Sequence, residues 1–381
     1  MRALSRAIAA AGVSILAVAT IPATPAFADS VRDRQWYLQS LKISQAHTIS
    51  TGSGVVVAVV DTGTYPHPDI RNNLREGTDL TGGASGNGKS DANGHGTRMA
   101  GLVAGHGHGS DSGIEGVAPS ANIIPVRISR TGKEIDPEMV TSGVQWATEN
   151  GAKVINISLS TGPSFDLNDA VGGAIESDIV VVAPVGNAAS DAVVNYPAAF
   201  DGVLAVGATG RNGKYSSASV KSKRTQICAP GVDIISTQPK SNYGTATGTS
   251  DSTAIVSGAA ALVRAKFPQL SAEEVVHRLT ATADDIGPPG RDDECGYGRL
   301  NIVKALTADV PPLEGGVSAS PSAVVSTPAA GSVSSASSVE GSGQEASPGG
   351  SGAGLVFGGI AAAAVVGGGL LFFVLRRRRV R

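Results

Sequence analysis

Cysteine, aromatic side chains and excess charge of either sign are all scarce in this sequence. Only Cys228 and Cys295 occur in 381 residues, aromatics make up 4%, and the formal net charge is −2. Without a basic bias there is no electrostatic footprint for nucleic acid, and no strong acidic bias stands in its place. Sparse aromatics and the absence of a fixed-period repeat argue against a cell-wall-binding module. His106-Gly107-His108 lies on a Gly/Ser loop without further ligand spacing, so it reads as solvated loop rather than a metal site.

What the sequence does have is concentrated first at its ends. Arg2 and Arg6 precede an apolar run, and Ala26-Phe27-Ala28 reads as a small-residue cleavage site. Residues 1–28 are therefore expected to be a signal peptide. Residues 353–375 form an uncharged stretch of small and apolar residues, followed at once by Arg376-Arg377-Arg378-Arg379 and Arg381. At 1.5 Å per residue that stretch reaches roughly 34 Å, enough to cross a hydrocarbon core of about 30 Å. Clustered arginine resists translocation, so 376–381 is expected to stay cytoplasmic while the bulk of the chain lies outside. The expected localisation is a single-pass protein of the cell membrane. In that oxidising compartment Cys228 and Cys295 read as one disulfide. Two buried free thiols remain the alternative, because sequence does not supply the bond geometry.

Residues 310–352 are dominated by Pro, Ser, Ala, Gly and Val, a composition that cannot bury a core and reads as a linker. Between the ends lies one domain, 55–309, preceded by an extension, 29–54, in which Gln35-Trp36-Tyr37-Leu38 reads as an apolar anchor. The extension is too short to fold as a separate inhibitory domain. Within the domain, β-branched runs at 55–60, 122–127, 154–158, 179–185 and 203–206 read as buried strands. Asp136-Pro137 signals one helix start, with Gly151 closing it, and Ser271 with Glu274 has capping-box spacing. Strands alternating with helices predict an α/β fold, a mostly parallel central sheet with helices on both faces. In such sheets function sits beyond the carboxyl ends of the strands.

Three segments fit that location. Val60-Asp61-Thr62-Gly63 ends an apolar strand in a carboxylate, which is costly to bury unless paired. Asn93-Gly94-His95-Gly96-Thr97 flanks a histidine with glycines that leave room for close approach. Gly248-Thr249-Ser250 opens an Ala-rich helix whose N-terminus favours negative charge near Ser250. Taken singly, Asp61 is equally a turn residue, His95 a structural histidine and Ser250 an N-cap.

Together, in the order Asp, His, Ser, these segments resemble the signatures of the subtilisin-like serine proteases, or subtilases. Gly116-Val117-Ala118-Pro119, Val154-Ile155-Asn156-Ile157-Ser158, Cys228-Ala229-Pro230-Gly231 and Gly296-Tyr297-Gly298-Arg299 agree with the same pattern. The resemblance implies a three-layer subtilisin-like fold and a polypeptide substrate, with no cofactor. It makes Ser250 the nucleophile, His95 the base and Asp61 its orienting partner. Asn187, after Val185-Gly186, would be the oxyanion donor, and Ser158, Leu159, Ser160 and Gly186 would line the primary substrate pocket with neighbours from Ala183 to Val185. No calcium-loop sequence is visible, so calcium dependence is not implied.

The sequence departs from that pattern in places. Asp251, Ser252 and Ala254 replace the usual Met, Ala and Pro after the nucleophile. A carboxylate at Asp251 is comfortable at a helix start yet stands near the developing oxyanion. Ser160, Pro184 and Val185 replace small residues, which predicts a narrower pocket. Arg98, where relatives have His or Val, reads as a helix-surface difference. Signal, extension, protease domain, linker and single span together resemble the mycosins, membrane-anchored subtilases associated with type VII secretion. A type VII secretion complex is therefore an expected partner, and a structural role in it is the alternative to proteolysis.

Overall fold

The β-branched runs form the sheet that the rest of the domain covers. A computed structural model describes residues 30–82, 86–109 and 111–313. The proposed leader, most of the linker, the 353–375 stretch and the basic tail lie outside the described residues. Among those described, no helix is long and apolar enough to cross a membrane.

Three short helices open the described chain: α1 (Ser30–Asp33), α2 (Trp36–Ser40) and α3 (Ile43–His47). Then follow β1 (Val56–Asp61), β2 (Thr78–Asp79), α4 (His95–Ala104), β3 (Asn122–Arg127), α5 (Pro137–Glu149), β4 (Val154–Asn156), α6 (Phe165–Glu176), β5 (Val180–Pro184) and β6 (Leu204–Thr209). The chain continues through β7 (Ile227–Pro230), β8 (Ile234–Gln238), β9 (Asn242–Ala246), α7 (Thr249–Lys266), α8 (Ala272–Ala281) and α9 (Ile302–Thr307). Strands β2-β3-β1-β4-β5-β6-β7 make one seven-stranded sheet, while β8 and β9 pair separately as an antiparallel hairpin. Every adjacent pair in the large sheet is parallel, with β1 lying between β3 and β4 in register Val57↔Ile123 and Val57↔Val154.

Because side chains alternate across a strand, β1 feeds two cores. Val57 and Val59 join the face covered by α4 and α7, whereas Ala58 and Val60 join the face covered by α5 and α6. This doubly covered sheet explains why the strands read as continuous apolar runs rather than alternating ones. Helix α7 crosses the middle of the first face and buries nearly its whole length, which small residues make possible. At Gly258 an added Cβ would stand 2.7 Å from the Val117 Cβ, so the helix sits too close there for any side chain.

The helix signals are used as the sequence implies. Asp136 caps α5, accepting from Glu138 N, with Pro137 following, and Ser271 and Glu274 form a reciprocal capping box at α8. The anchor residue Tyr37 is wholly buried in the α4/α7 core. Gln35 accepts from Glu115 N at 2.9 Å and donates to Glu115 O at 2.8 Å, tying the N-terminal segment to the domain.

Cys228 on β7 and Cys295 are joined in a disulfide across 67 residues of sequence. It fastens the edge strand to the 284–299 segment, where Cys228 N donates to Gly298 O and Leu300 N to Cys228 O. Closing a loop of that length constrains the unfolded chain by about 4 kcal/mol. The Cys228→Ser/Cys295→Ser variant is expected to lose stability on that scale in denaturant unfolding; an unchanged midpoint would contradict the assignment.

Candidate active site

The carboxyl end of β1 delivers Asp61 to the mouth of the sheet, fully buried. Its two oxygens accept from His95 Nδ1 at 2.8 and 2.9 Å, and Oδ1 also accepts from Thr62 N at 2.7 Å. An ionised carboxylate only accepts, so Nδ1 carries the proton and a neutral His95 presents an unprotonated Nε2 to the cleft. The approach of the two elements is close. A side chain at Gly96 would run into the Gly63 carbonyl, so the glycine is required there.

His95 is the first residue of α4, and the helix start is organised by Asp91, which the sequence reading passed over. Asp91 Oδ1 accepts from Gly94 N at 2.8 Å, Asn93 N at 3.0 Å and Thr62 Oγ1 at 3.0 Å. Its Oδ2 accepts from Thr97 N at 2.9 Å and Thr97 Oγ1 at 2.6 Å. Asp91 thus satisfies the Thr97 orphan donor and holds the Thr62 turn against the helix, while Asn93 Oδ1 accepts from His95 N at 3.1 Å and Thr62 Oγ1 from Gly96 N at 3.0 Å. The signal was present as an Asp two residues before Asn93-Gly94, a turn-forming spacing.

Ser250 lies inside the first turn of α7, whose N-cap is Gly248, so it is not the cap residue. First-turn N–H groups have no partner within the helix, and the Ser250 N–H is one of them. The Ser250 hydroxyl donates to the Ser158 carbonyl at 2.9 Å, and the Ser158 hydroxyl donates to the Ser250 carbonyl at 3.1 Å. No hydrogen bond joins Ser250 to His95 among the described residues. Asn187, just beyond β5, accepts at Oδ1 from Thr249 N at 2.9 Å and Thr249 Oγ1 at 3.1 Å. That fixes the amide so that its Nδ2 donors face away from Thr249.

His95, Asn187, Thr249 and Ser250 border one cleft of about 410 Å³, together with Ser158, Leu159, Ser160 and Gly186, while Asp61 is buried behind His95. Two details differ from the sequence expectation. The Ser158 side chain is buried and bonded to Asn156, so that residue meets the cleft through its backbone. Val185 points into the α5/α6 core and Pro184 alone of that pair borders the cleft, so Val185 does not narrow the pocket.

Arg98 is no surface residue: its side chain is 4% exposed and that of Asp251 3%, and Arg98 Nε meets Asp251 Oδ1 at 2.6 Å. The reason is chemical: a long cation can be buried when every donor finds an acceptor. Asp251 is therefore a charge-compensated carboxylate rather than a bare one at the helix start. On the His106/His108 loop His108 is exposed, as expected of a solvated loop, with its side chain 43% accessible while Nδ1 contacts the buried Asp69 at 2.5 Å. Among the described residues no cluster of His, Cys, Asp or Glu could hold a metal.

Burial pulls the His95 pKa down, but the Asp61 charge and hydrogen bond outweigh it. Asp251 adds in the same direction and Arg98 opposes, leaving His95 above its ordinary value. Burial pushes the Asp251 carboxyl up, against the pull of Arg98 and His95. A hydroxyl in the first turn of a helix, an imidazole oriented by a buried carboxylate and a side-chain amide anchored through its oxygen are the parts of a nucleophilic serine hydrolase.

Comparison with known proteins gives the particular class. Residues 52–298 match the subtilase family, and the chain belongs to it. It is 39% identical to Subtilisin Savinase of Lederbergia lenta over 254 residues, covering 66% of this chain and 92% of that protein. The solved structure of MycP1 from Mycobacterium smegmatis superposes with a TM-score of 0.66 at 30% identity, covering 79% of this chain and 90% of that one. The MycP3 protease from a type VII (ESX-3) secretion system gives 0.62 at 33% identity, covering 76% and 90%. The chain is a subtilisin-like serine endopeptidase with mycosins among its structural neighbours.

A raised His95 pKa makes the protonated pair stabilising. Its contribution is complete below the unfolded value of about 6.5 and is lost as pH rises through the higher folded value. In Asp61→Asn, burial dominates and the His95 pKa is expected to fall below that of the native protein. Ring titration by NMR checks this; a value equal to or above native would contradict the assigned pairing.

Proposed function

We propose that the chain is a membrane-anchored, extracytoplasmic protease that cuts exported polypeptides through Asp61, His95 and Ser250. Ser250 Oγ attacks the scissile carbonyl as His95 Nε2 takes its proton; Asp61 holds the imidazole and stabilises the imidazolium. The acyl-enzyme forms as His95 returns that proton to the leaving amine, and water repeats the sequence to release the acid. The Asn187 side chain and the Ser250 N–H donate to the oxyanion. Backbone at 158–160 and Gly186 offers an extended peptide strand-like pairing. The hydroxyl must first leave the Ser158 carbonyl and turn toward His95. The observation that carries this reading is the convergence of the Asp61–His95 pair, the Ser250 helix start and the anchored Asn187 amide on one cleft.

Around that centre we place a signal peptide at 1–28, an extension at 29–54, the catalytic domain at 55–309, a linker at 310–352, a span at 353–375 and a cytoplasmic tail at 376–381. The apolar 353–375 stretch and the arginines behind it support the anchor. Likeness to MycP1, described as an essential component of the type VII (ESX-1) secretion system, supports work beside such a complex. The same likeness, with Ser250 bonded to Ser158 in place of His95, favours a second reading in which the chain stabilises the secretion complex and proteolysis is secondary. If Ser250→Ala supports secretion while deletion of the chain abolishes it, the second reading holds.

A fluorophosphonate is expected to label the native protein and not Ser250→Ala. Asn187→Ala is expected to lower kcat by about 10²–10³, the scale set by removing the corresponding donor in subtilisin itself. Failure to label well-folded native protein, or unchanged kcat in Asn187→Ala, would overturn the assignments.

A further inference from the structure

Arg98 and Asp251 stand at two telling places. Arg98 follows His95 by three residues, close to one turn of α4, and Asp251 follows Ser250 directly in α7. The guanidinium spends its donors on three elements besides its own. Nε meets Asp251 Oδ1 at 2.6 Å, Nη1 meets the Gly244 carbonyl of β9 at 2.7 Å, and Nη2 meets the Ile234 carbonyl of β8. From the other side, Thr237 Oγ1 of β8 donates to the Thr97 carbonyl at 2.7 Å and Ser236 Oγ to the Arg98 carbonyl at 2.8 Å. Behind the pair, buried Tyr37 donates to the Ile235 carbonyl at 3.1 Å. The fork geometry of arginine suits this set; a lysine has one nitrogen and cannot span it.

We propose that the Arg98–Asp251 pair is a positioning device that holds the helix bearing His95 and the helix bearing Ser250 at a working separation. This rests on the reading of His95 as base and Ser250 as nucleophile. A rigid separation matters because small misplacements of reacting groups are costly in rate. The pair also lies within electrostatic reach of the imidazole. Groups acting on His95 are Asp61 from β1, Asp251 from α7 and Arg98 from its own helix, while Lys133, Glu134 and Asp191 border the same cleft. Asp251 favours the imidazolium and Arg98 disfavours it, so breaking the pair moves the titration of His95, whereas replacing both charges leaves it nearly in place.

The full-length protein, reacted with a fluorophosphonate across pH, separates the possibilities, with kinact reporting chemistry and KI binding. Arg98→Lys is expected to lower kinact roughly ten- to a hundred-fold, with KI and the acid limb unmoved. In Asp251→Asn the acid limb is expected to move to lower pH. Should either single variant fail to fold, the apolar Arg98→Met/Asp251→Leu pair of similar volume carries the test, with reduced kinact and a near-native acid limb. A folded Arg98→Lys or double variant reacting at the native rate overturns the proposal, as does a folded Asp251→Asn with an unmoved acid limb. Labelling of Ser250→Ala would instead overturn the underlying triad.

Discussion

A carboxylate with no exposure at the end of an apolar strand is the constraint around which this domain is arranged. Asp61 is tolerable there only because His95 Nδ1 and the Thr62 N–H satisfy it. That requirement brings the start of α4 against the β1 turn, demands glycine at position 96 and makes Asp91 organise the helix entrance. The parallel sheet supplies the rest, since all its strands direct their carboxyl ends to the same side and β5 brings Asn187 to the same mouth.

A second buried carboxylate repeats the logic on α7. Asp251 would be an uncompensated charge beside the nucleophile were Arg98 not folded in from α4. The two acids are answered by two neighbours on one helix, His95 and Arg98, so α4 carries both the chemistry and its structural tie. The hairpin of β8 and β9 accepts the remaining arginine donors, which gives that small sheet a reason to sit where it does.

Much of this was legible in residues alone. Strand β3 falls on its predicted run, the other four runs become β1, β4, β5 and β6 within a few residues, and the α5 and α8 caps use the expected side chains. The exceptions have physical causes. β9, with Asn242, Tyr243 and Gly244, has no apolar pattern because it is an exposed strand of a two-stranded ribbon. Arg98 looked superficial because a charged residue defaults to the surface, and its partner is 153 positions away. Val185 looked like a pocket residue because sequence does not say which face of a strand end meets the cleft. The cysteine pairing needed geometry, which the fold supplied.

Two features of the site give the account its sharpest test: the Ser250 hydroxyl rests on the Ser158 carbonyl, and the Asn187 Nδ2 donors face away from Thr249. A crystal structure of the phosphonylated protein would be decisive. Phosphorus is expected bonded to Ser250 Oγ beside His95 Nε2, with the phosphonyl oxygen accepting from Asn187 Nδ2 and the Ser250 N–H at about 3 Å. An adduct on another residue, or a phosphonyl oxygen directed away from Asn187, would contradict it.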